Sequence, residues 1–208
     1  MDLNDTPEQA QYRAQARAWL QDNRADAPSR QGSYEDGGYV DARRAWQRRL
    51  AEAGLAAVTW PVEFGGRGVG PAEQVIVNQE ISRAEVPGIL DVIGIGMLGP
   101  CLIAHGSEEQ KSRHLGPMLH GDEVWCQLFS EPGAGSDLAA VQTRARPSED
   151  SGGWTLNGQK VWTTNAQFAS FGLLLARTDP DVPKHKGLTM FIVPMDAPGV
   201  TVRGLRQI

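Results

Sequence analysis

Cysteine is scarce in this chain: Cys101 and Cys126 are the only two in 208 residues. They form neither a disulfide framework nor a metal-ligand spacing, and such usage fits a reducing, cytoplasmic compartment. The four histidines, His105, His114, His120 and His185, fall in no H-E-x-x-H frame and beside no cysteine pair, which argues against a metal site. No apolar run approaches the length of a membrane span. The N-terminus carries Asp2, Asn4 and Asp5 and does not read as a signal peptide. Net charge is −5 and no basic stripe accompanies it, so nucleic acid and anionic membrane are poor partners. No lysine follows the glycines of the most Gly-rich turn in P-loop fashion, and its serines lie outside a G-x-S-x-G frame.

What is present is a globular composition. Hydrophobic residues make up 40% of the chain, enough for a real core in one or two domains. Thr6-Pro7-Glu8-Gln9 reads as a helix start, with Thr6 as cap, Pro7 at the first helical position and Gln9 closing a capping box. Tyr12, Ala16, Trp19 and Leu20 then share one helical face. A second helix is expected from about Val40 to Ala53, with Trp46 and Leu50 inward and Gly54 just past its end. Gly70-Pro71 opens a third, with Val75, Ile76 and Ile81 as core positions. Ser107-Glu108-Glu109-Gln110 is another capping box, starting a short helix that Gly116-Pro117 interrupts. Two stretches between these helices are rich in glycine. Gly65-Gly66-Arg67-Gly68 reads better as a packed connector than as a ligand border. Gly94, Gly96 and Gly99 imply that another helix, or a flat ligand, approaches the backbone.

After Glu123 the periodicity changes. Val141 to Arg146 alternates as a half-buried strand does, and Asn157-Gly158 predicts a hairpin with a type I′ turn. Phe171 to Arg177, Leu188 to Pro194 and Val200 to Leu205 read as further strands. A helical domain over 1–122 and a β domain over 123–208 are expected, the second incomplete at its C-terminal end.

The stretch from Trp125 to Asp137 organises the β region. A β-prone run enters a turn holding Pro132, Gly133 and Gly135, flanked by Ser130 and Ser136. Glycines at positive φ would let backbone N–H groups converge on an anion. By spacing alone an ordinary Gly-rich turn is favoured. Lys184-His185-Lys186 reads first as a solvated loop, and Trp125, Trp154 and Trp162 as core side chains.

Two motifs change that balance: Glu131-Pro132-Gly133-Ala134-Gly135-Ser136-Asp137, and Asn157-Gly158-Gln159-Lys160-Val161-Trp162-Thr163-Thr164-Asn165. In this order and separation they resemble the acyl-CoA dehydrogenase family of flavoenzymes, and the resemblance extends from the Thr6 helix to Ile208. It implies an α+β architecture: an N-terminal all-helical domain, then an antiparallel β-barrel-like middle domain. It also implies FAD as cofactor, with Gln127, Phe129 and Ser130 bordering the isoalloxazine. Gly135 and Ser136 would lie near the pyrophosphate, Ser136 also near the thioester-CoA ligand. Trp162 would pack on the flavin and Thr164 would hydrogen-bond near N5. Two positions depart from the family: Ser130 stands where Thr is common, keeping the hydroxyl, and Phe129 is larger than usual. Glu131 is given a structural role.

The reaction implied is oxidation of an acyl-CoA to the 2,3-enoyl-CoA, a base taking the α proton while the β hydrogen leaves as hydride. No carboxylate here matches the family's base, which is expected beyond Ile208, so the 208-residue chain alone is expected to be inactive. An electron-transfer flavoprotein or similar acceptor, and a homo- or hetero-oligomer, complete the expectation. Other readings are an acyl-CoA oxidase or flavin monooxygenase of the same fold, or a non-catalytic subunit.

Overall fold

The computed structural model describes residues 4–148 and 152–204. The chain divides into two compact units, Met1–Asp122 and Glu123–Ile208.

The first unit is helical. Helix α1 (Pro7–Asn23) begins at the expected capping box: the Thr6 hydroxyl accepts from the Gln9 amide at 3.2 Å, and Gln9 Oε1 accepts from the Thr6 amide at 3.1 Å. Helix α2 (Gly37–Glu52) starts earlier than its apolar pattern does, because Asp36 caps the Gly38 amide. Gly54 takes φ 68° just past its end, where a left-handed residue is needed. Helix α3 (Pro71–Ala84) buries Ile76, Val77 and Glu80 but leaves Val75 52% exposed, correcting the expected core. Glu80 is tolerated because Arg13, Arg17 and Arg83 all donate to its carboxylate.

A π-helical turn (Gly94–Leu98) leads into α4 (Gly99–His105) and then α5 (Glu108–His120). Helix α5 runs through Gly116-Pro117 without the expected break. The single N–H that Pro117 lacks is outweighed by burial of Leu115, Met118 and Leu119 on one face. Gly94 and Gly99 of this region face side chains, whereas Gly96 has open space beside it. A Cβ on Gly99 would lie 2.1 Å from the Trp60 ring, and one on Gly94 would lie 2.0 Å from the Asp91 carboxylate. Gly66 is equally tight against the Trp60 carbonyl, so the Gly65–Gly68 segment is the packed connector its composition favours.

The second unit carries a five-stranded sheet: β1 (Trp125–Leu128), β2 (Arg144–Pro147), β3 (Trp154–Asn157), β4 (Phe171–Arg177) and β5 (Leu188–Pro194). Strand β4 is central and apolar from Phe171 to Ala176. One edge pairs antiparallel with β5, from Phe171↔Pro194 to Arg177↔Leu188. Its other edge is shared: β1 runs parallel over Phe171–Leu174, and β2 meets it parallel at Arg177. The sheet is therefore mixed, not the antiparallel barrel-like arrangement expected, because β1 and β4 are joined by a long crossover rather than a hairpin.

Two local expectations also change. Asn157-Gly158 does not form a I′ turn, since neither residue takes positive φ. Strand β3 instead pairs backwards with β2, from Arg144↔Asn157 to Pro147↔Trp154, and Asn157 ends it. Glycine is required at 158 for closeness: a Cβ there would lie 2.2 Å from Thr143 Oγ1 and 2.7 Å from its Cα. Residues 200–204 form no strand, with Val200 and Val202 exposed at 37% and 40%. Alternation is not enough without a partner edge. Leu205, the end of that expected strand, lies outside the described residues.

Candidate functional site

Chain leaving β1 and chain leaving β3 meet beside β4. Gln127 is half-buried in β1, in register with Leu173. The Phe129 ring packs against the cluster of Ala134, Val141 and Leu175, an apolar seat that accommodates its size. Ser130 is half-buried, and its carbonyl accepts from the Val161 amide at 2.9 Å. That bond joins the two motifs by their backbones, three residues before Thr164.

The next residue, Glu131, is a buried carboxylate. Its Oε2 accepts from the Gln142 amide at 2.6 Å; its Oε1 accepts from the Thr143 amide at 2.9 Å and from Lys160 Nζ at 2.8 Å. Burial alone would push its pKa up, but these donors win and hold it at about 2. Lys160 Nζ also donates to the carbonyls of Phe129 (2.9 Å) and Leu175 (2.8 Å). Both side chains of the pair are only 7% exposed. Burial pushes the Lys160 pKa down, with Glu131 opposing it. The two partners differ because the carboxylate gains three donors, whereas the ammonium exchanges water for one anion and two neutral carbonyls. Three acceptors around Nζ use three N–H bonds, so the amine is protonated in this arrangement. Sequence reasoning gave Glu131 a structural place but passed over Lys160. The available signal was a lone cation just before an apolar Val161-Trp162 pair.

Between Glu131 and Thr143 the chain forms a loop. Glu131 and Ala134 exchange backbone hydrogen bonds at 2.8 and 3.1 Å across the turn. Gly133 and Gly135 are not at positive φ, so the expected left-handed concavity of N–H groups is not formed. Gly135 and Ser136 are exposed. Farther along the loop, Arg177 donates to the Ala139 and Val141 carbonyls, and Lys184 pairs with Asp137. Lys184 is thus tied to this loop at its surface.

The second motif ends in an exposed turn. Trp162 adopts φ 59°, a costly conformation for a bulky side chain, and is 73% exposed. Trp125, in contrast, is fully buried and stacked on Phe171, as a core tryptophan should be. Thr164 is exposed two residues after Trp162, and Asn165 takes φ 68°. An uncovered indole with a nearby hydroxyl suits a flat heteroaromatic group, so these residues fit a flavin. Ser130, Trp162 and Thr164 are therefore brought onto adjoining segments, while Gln127 stays in the sheet and Gly135 and Ser136 sit on the loop. An open cleft of about 550 Å³, lined by Glu131, Gly133, Thr143 and Asn157 among others, includes none of the expected site residues.

Two family models match: the N-terminal domain of acyl-CoA dehydrogenase over residues 6–122 and its middle domain over residues 126–207. Among curated proteins, acyl-CoA dehydrogenase IpdE1 of Mycobacterium tuberculosis (strain ATCC 25618 / H37Rv) is 44% identical over 95% of this chain and 52% of its own length. The chain spans about half the length of that relative. Among solved structures, the ChsE4-ChsE5 complex from Mycobacterium tuberculosis matches with TM-score 0.77 and 31% identity, over 96% of this chain and 49% of that chain. The Tcur3481-Tcur3483 steroid ACAD matches with TM-score 0.76 and 34% identity, over 96% of this chain and 50% of that chain. Acyl-CoA dehydrogenases use FAD. With both domain models matched in order and a relative of this similarity, the chain belongs to the acyl-CoA dehydrogenase family, as its N-terminal and middle domains.

Proposed function

We propose that this chain supplies the flavin-facing middle domain and the helical N-terminal domain of an FAD-dependent acyl-CoA dehydrogenase. The observation that carries the reading is Trp162, left 73% exposed at φ 59° beside Thr164 and tied through Val161 to Ser130. Bound FAD supplies the two-electron sink for the β hydride of an acyl-CoA thioester. Trp162 offers the aromatic face that holds the ring system, and Thr164 and Ser130 offer hydroxyls that orient it. Gln127 and Phe129 support the same edge. Ser136 and the Gly135 backbone offer donors to phosphate-bearing parts of the ligands.

The α proton goes to a carboxylate base outside these residues, on a further domain or a partner chain. The relatives solved as complexes, ChsE4-ChsE5 and Tcur3481-Tcur3483, support a hetero-oligomer. An electron-transfer flavoprotein in the cytoplasm is the proposed acceptor. The product is the 2,3-enoyl-CoA.

The test is titration of the purified protein with FAD, followed by addition of acyl-CoA substrates. Flavin uptake, with bleaching that requires the base-bearing segment, is the expected result. Absence of flavin uptake overturns the reading. Oxygen consumption by the substrate-reduced flavin would favour the oxidase or monooxygenase form.

A further inference from the structure

We propose that the Lys160–Glu131 ion pair is the positioning device of the cofactor site, setting Ser130 and the Trp162–Thr164 turn in register with each other. The inference rests on the FAD reading above. Neither residue is given contact with the flavin; each acts through its neighbours.

The geometry carries it. Lys160 reaches both sides of the junction: the Phe129 carbonyl one residue before Ser130, the Glu131 carboxylate one residue after it, and the Leu175 carbonyl on central strand β4. Ser130 is thus bracketed by two bonds to a single ammonium. Directly after Lys160, the Val161 amide donates to the Ser130 carbonyl. The exposed Trp162 follows at once, in a left-handed conformation that local preference opposes. Something must hold that turn, and the buried anchor two residues upstream is placed to do so. Glu131 extends the hold to the far end of the Gly-rich loop through the Gln142 and Thr143 amides. Both loops that carry the proposed cofactor residues therefore start from one buried ion pair.

A buried pair adds little to stability when compared with a well-packed apolar substitute. Conservation of position, rather than of fold energy, is what the arrangement supplies. Lys160→Met would remove the bracket while keeping much of the aliphatic packing. Lys160→Gln is a second variant that keeps one or two hydrogen bonds, should the first fail to fold.

The experiment combines amide hydrogen exchange with FAD titration of the folded variants. Exchange of the Val161 amide is expected to speed up by about tenfold or more in Lys160→Met, with β4 and β5 amides unchanged. The Kd for FAD is expected to rise by about tenfold or more, and the visible circular dichroism of bound flavin to change. Lys160→Gln should fall between this variant and the parent protein. Faster exchange with an unchanged Kd and flavin spectrum would make the pair merely structural and overturn the proposal. An unchanged Val161 exchange rate would overturn it as well. If the parent protein takes up no flavin, the functional reading falls and this inference falls with it; normal uptake by both proteins sinks the inference alone.

Discussion

The Val161 amide donates to the Ser130 carbonyl at 2.9 Å and joins two residues that lie thirty-one positions apart in the chain. Trp162 follows directly after Val161, in an exposed, left-handed turn. This separates stability from ligand binding at one position. Trp162→Gly removes an indole that buries little and relieves about 1 kcal/mol of backbone strain. The melting temperature is expected to stay level or rise slightly, while FAD affinity falls by about tenfold or more, as loss of an aromatic platform implies. A calorimetric scan beside a flavin titration checks both. Unchanged FAD affinity would remove Trp162 from the site.

Glu131 sets an acid limit on the β unit. Its pKa is about 2 in the fold against 4.5 for the free side chain. A lowered carboxylate pKa contributes stability fully above the unfolded value. That stability is lost as pH falls from about 4.5 through about 2. The shift corresponds to roughly 3 kcal/mol. Chemical unfolding at pH 7, 5, 4 and 3 should show no loss between the first two values and a progressive loss below. In Glu131→Gln the acid-dependent part should shrink. The variant should also be weaker at pH 7, because Lys160 is left without its anion. A parent protein equally stable at pH 7 and pH 3 would contradict the assignment.

What was legible in the sequence was mostly local. The Thr6 and Gln9 box lies within one helical turn, and it fixes the start of α1. Strands β4 and β5 were readable to the residue because each is one continuous β-prone run between turn residues. Pairing was not readable. Whether β1 meets β4 or a nearer strand depends on contacts across more than forty residues, which no periodicity encodes. Asn157-Gly158 misled for a different reason: glycine answers both to positive φ and to close approach, and the letters are the same. At the site, the motif residues stood out, but the Lys160 to Glu131 bond spans 29 positions and has no local signature. The exposure of Trp162 runs against composition, since tryptophan is usually buried.

In the helical unit, Glu80 joins α1 to α3. It is 1% exposed and takes charge-assisted bonds from Arg13, Arg17 and Arg83, Arg17 being the main cause of its lowered pKa. Glu80→Gln would leave three cations around a neutral amide. Two of them, Arg17 and Arg83, are 41% and 61% exposed, so water offsets part of the loss. A destabilisation of roughly 2 kcal/mol is expected, with FAD titration of the folded variant little changed. Urea unfolding measures the first quantity. A variant as stable as the parent would show that the buried carboxylate contributes nothing net.

The glycines of the two motifs should respond oppositely to alanine. Gly158 faces the Thr143 backbone, and a methyl group there would lie 2.7 Å from the Thr143 Cα. Flexible side-chain movement cannot relieve a clash with backbone, so β2 or β3 must shift. Thr143 also presents its amide to Glu131, so the shift would reach the carboxylate. Gly158→Ala is expected to cost roughly 2 kcal/mol or more. Gly133 and Gly135 have open space where a Cβ would go and no positive φ. Alanine at either should change stability by less than about 0.5 kcal/mol. If that loop also contacts phosphate groups, as proposed through Ser136, added methyl groups would still hinder the ligand's approach to its backbone. Gly135→Ala should then weaken binding of a CoA thioester to the complete, flavin-loaded enzyme without lowering the melting temperature. Calorimetric titration with acyl-CoA, run beside a thermal melt, separates the two effects. A Gly158→Ala protein that melts with the parent would refute the close-approach argument. A Gly135→Ala enzyme with parental affinities for both FAD and acyl-CoA would leave that turn a structural one.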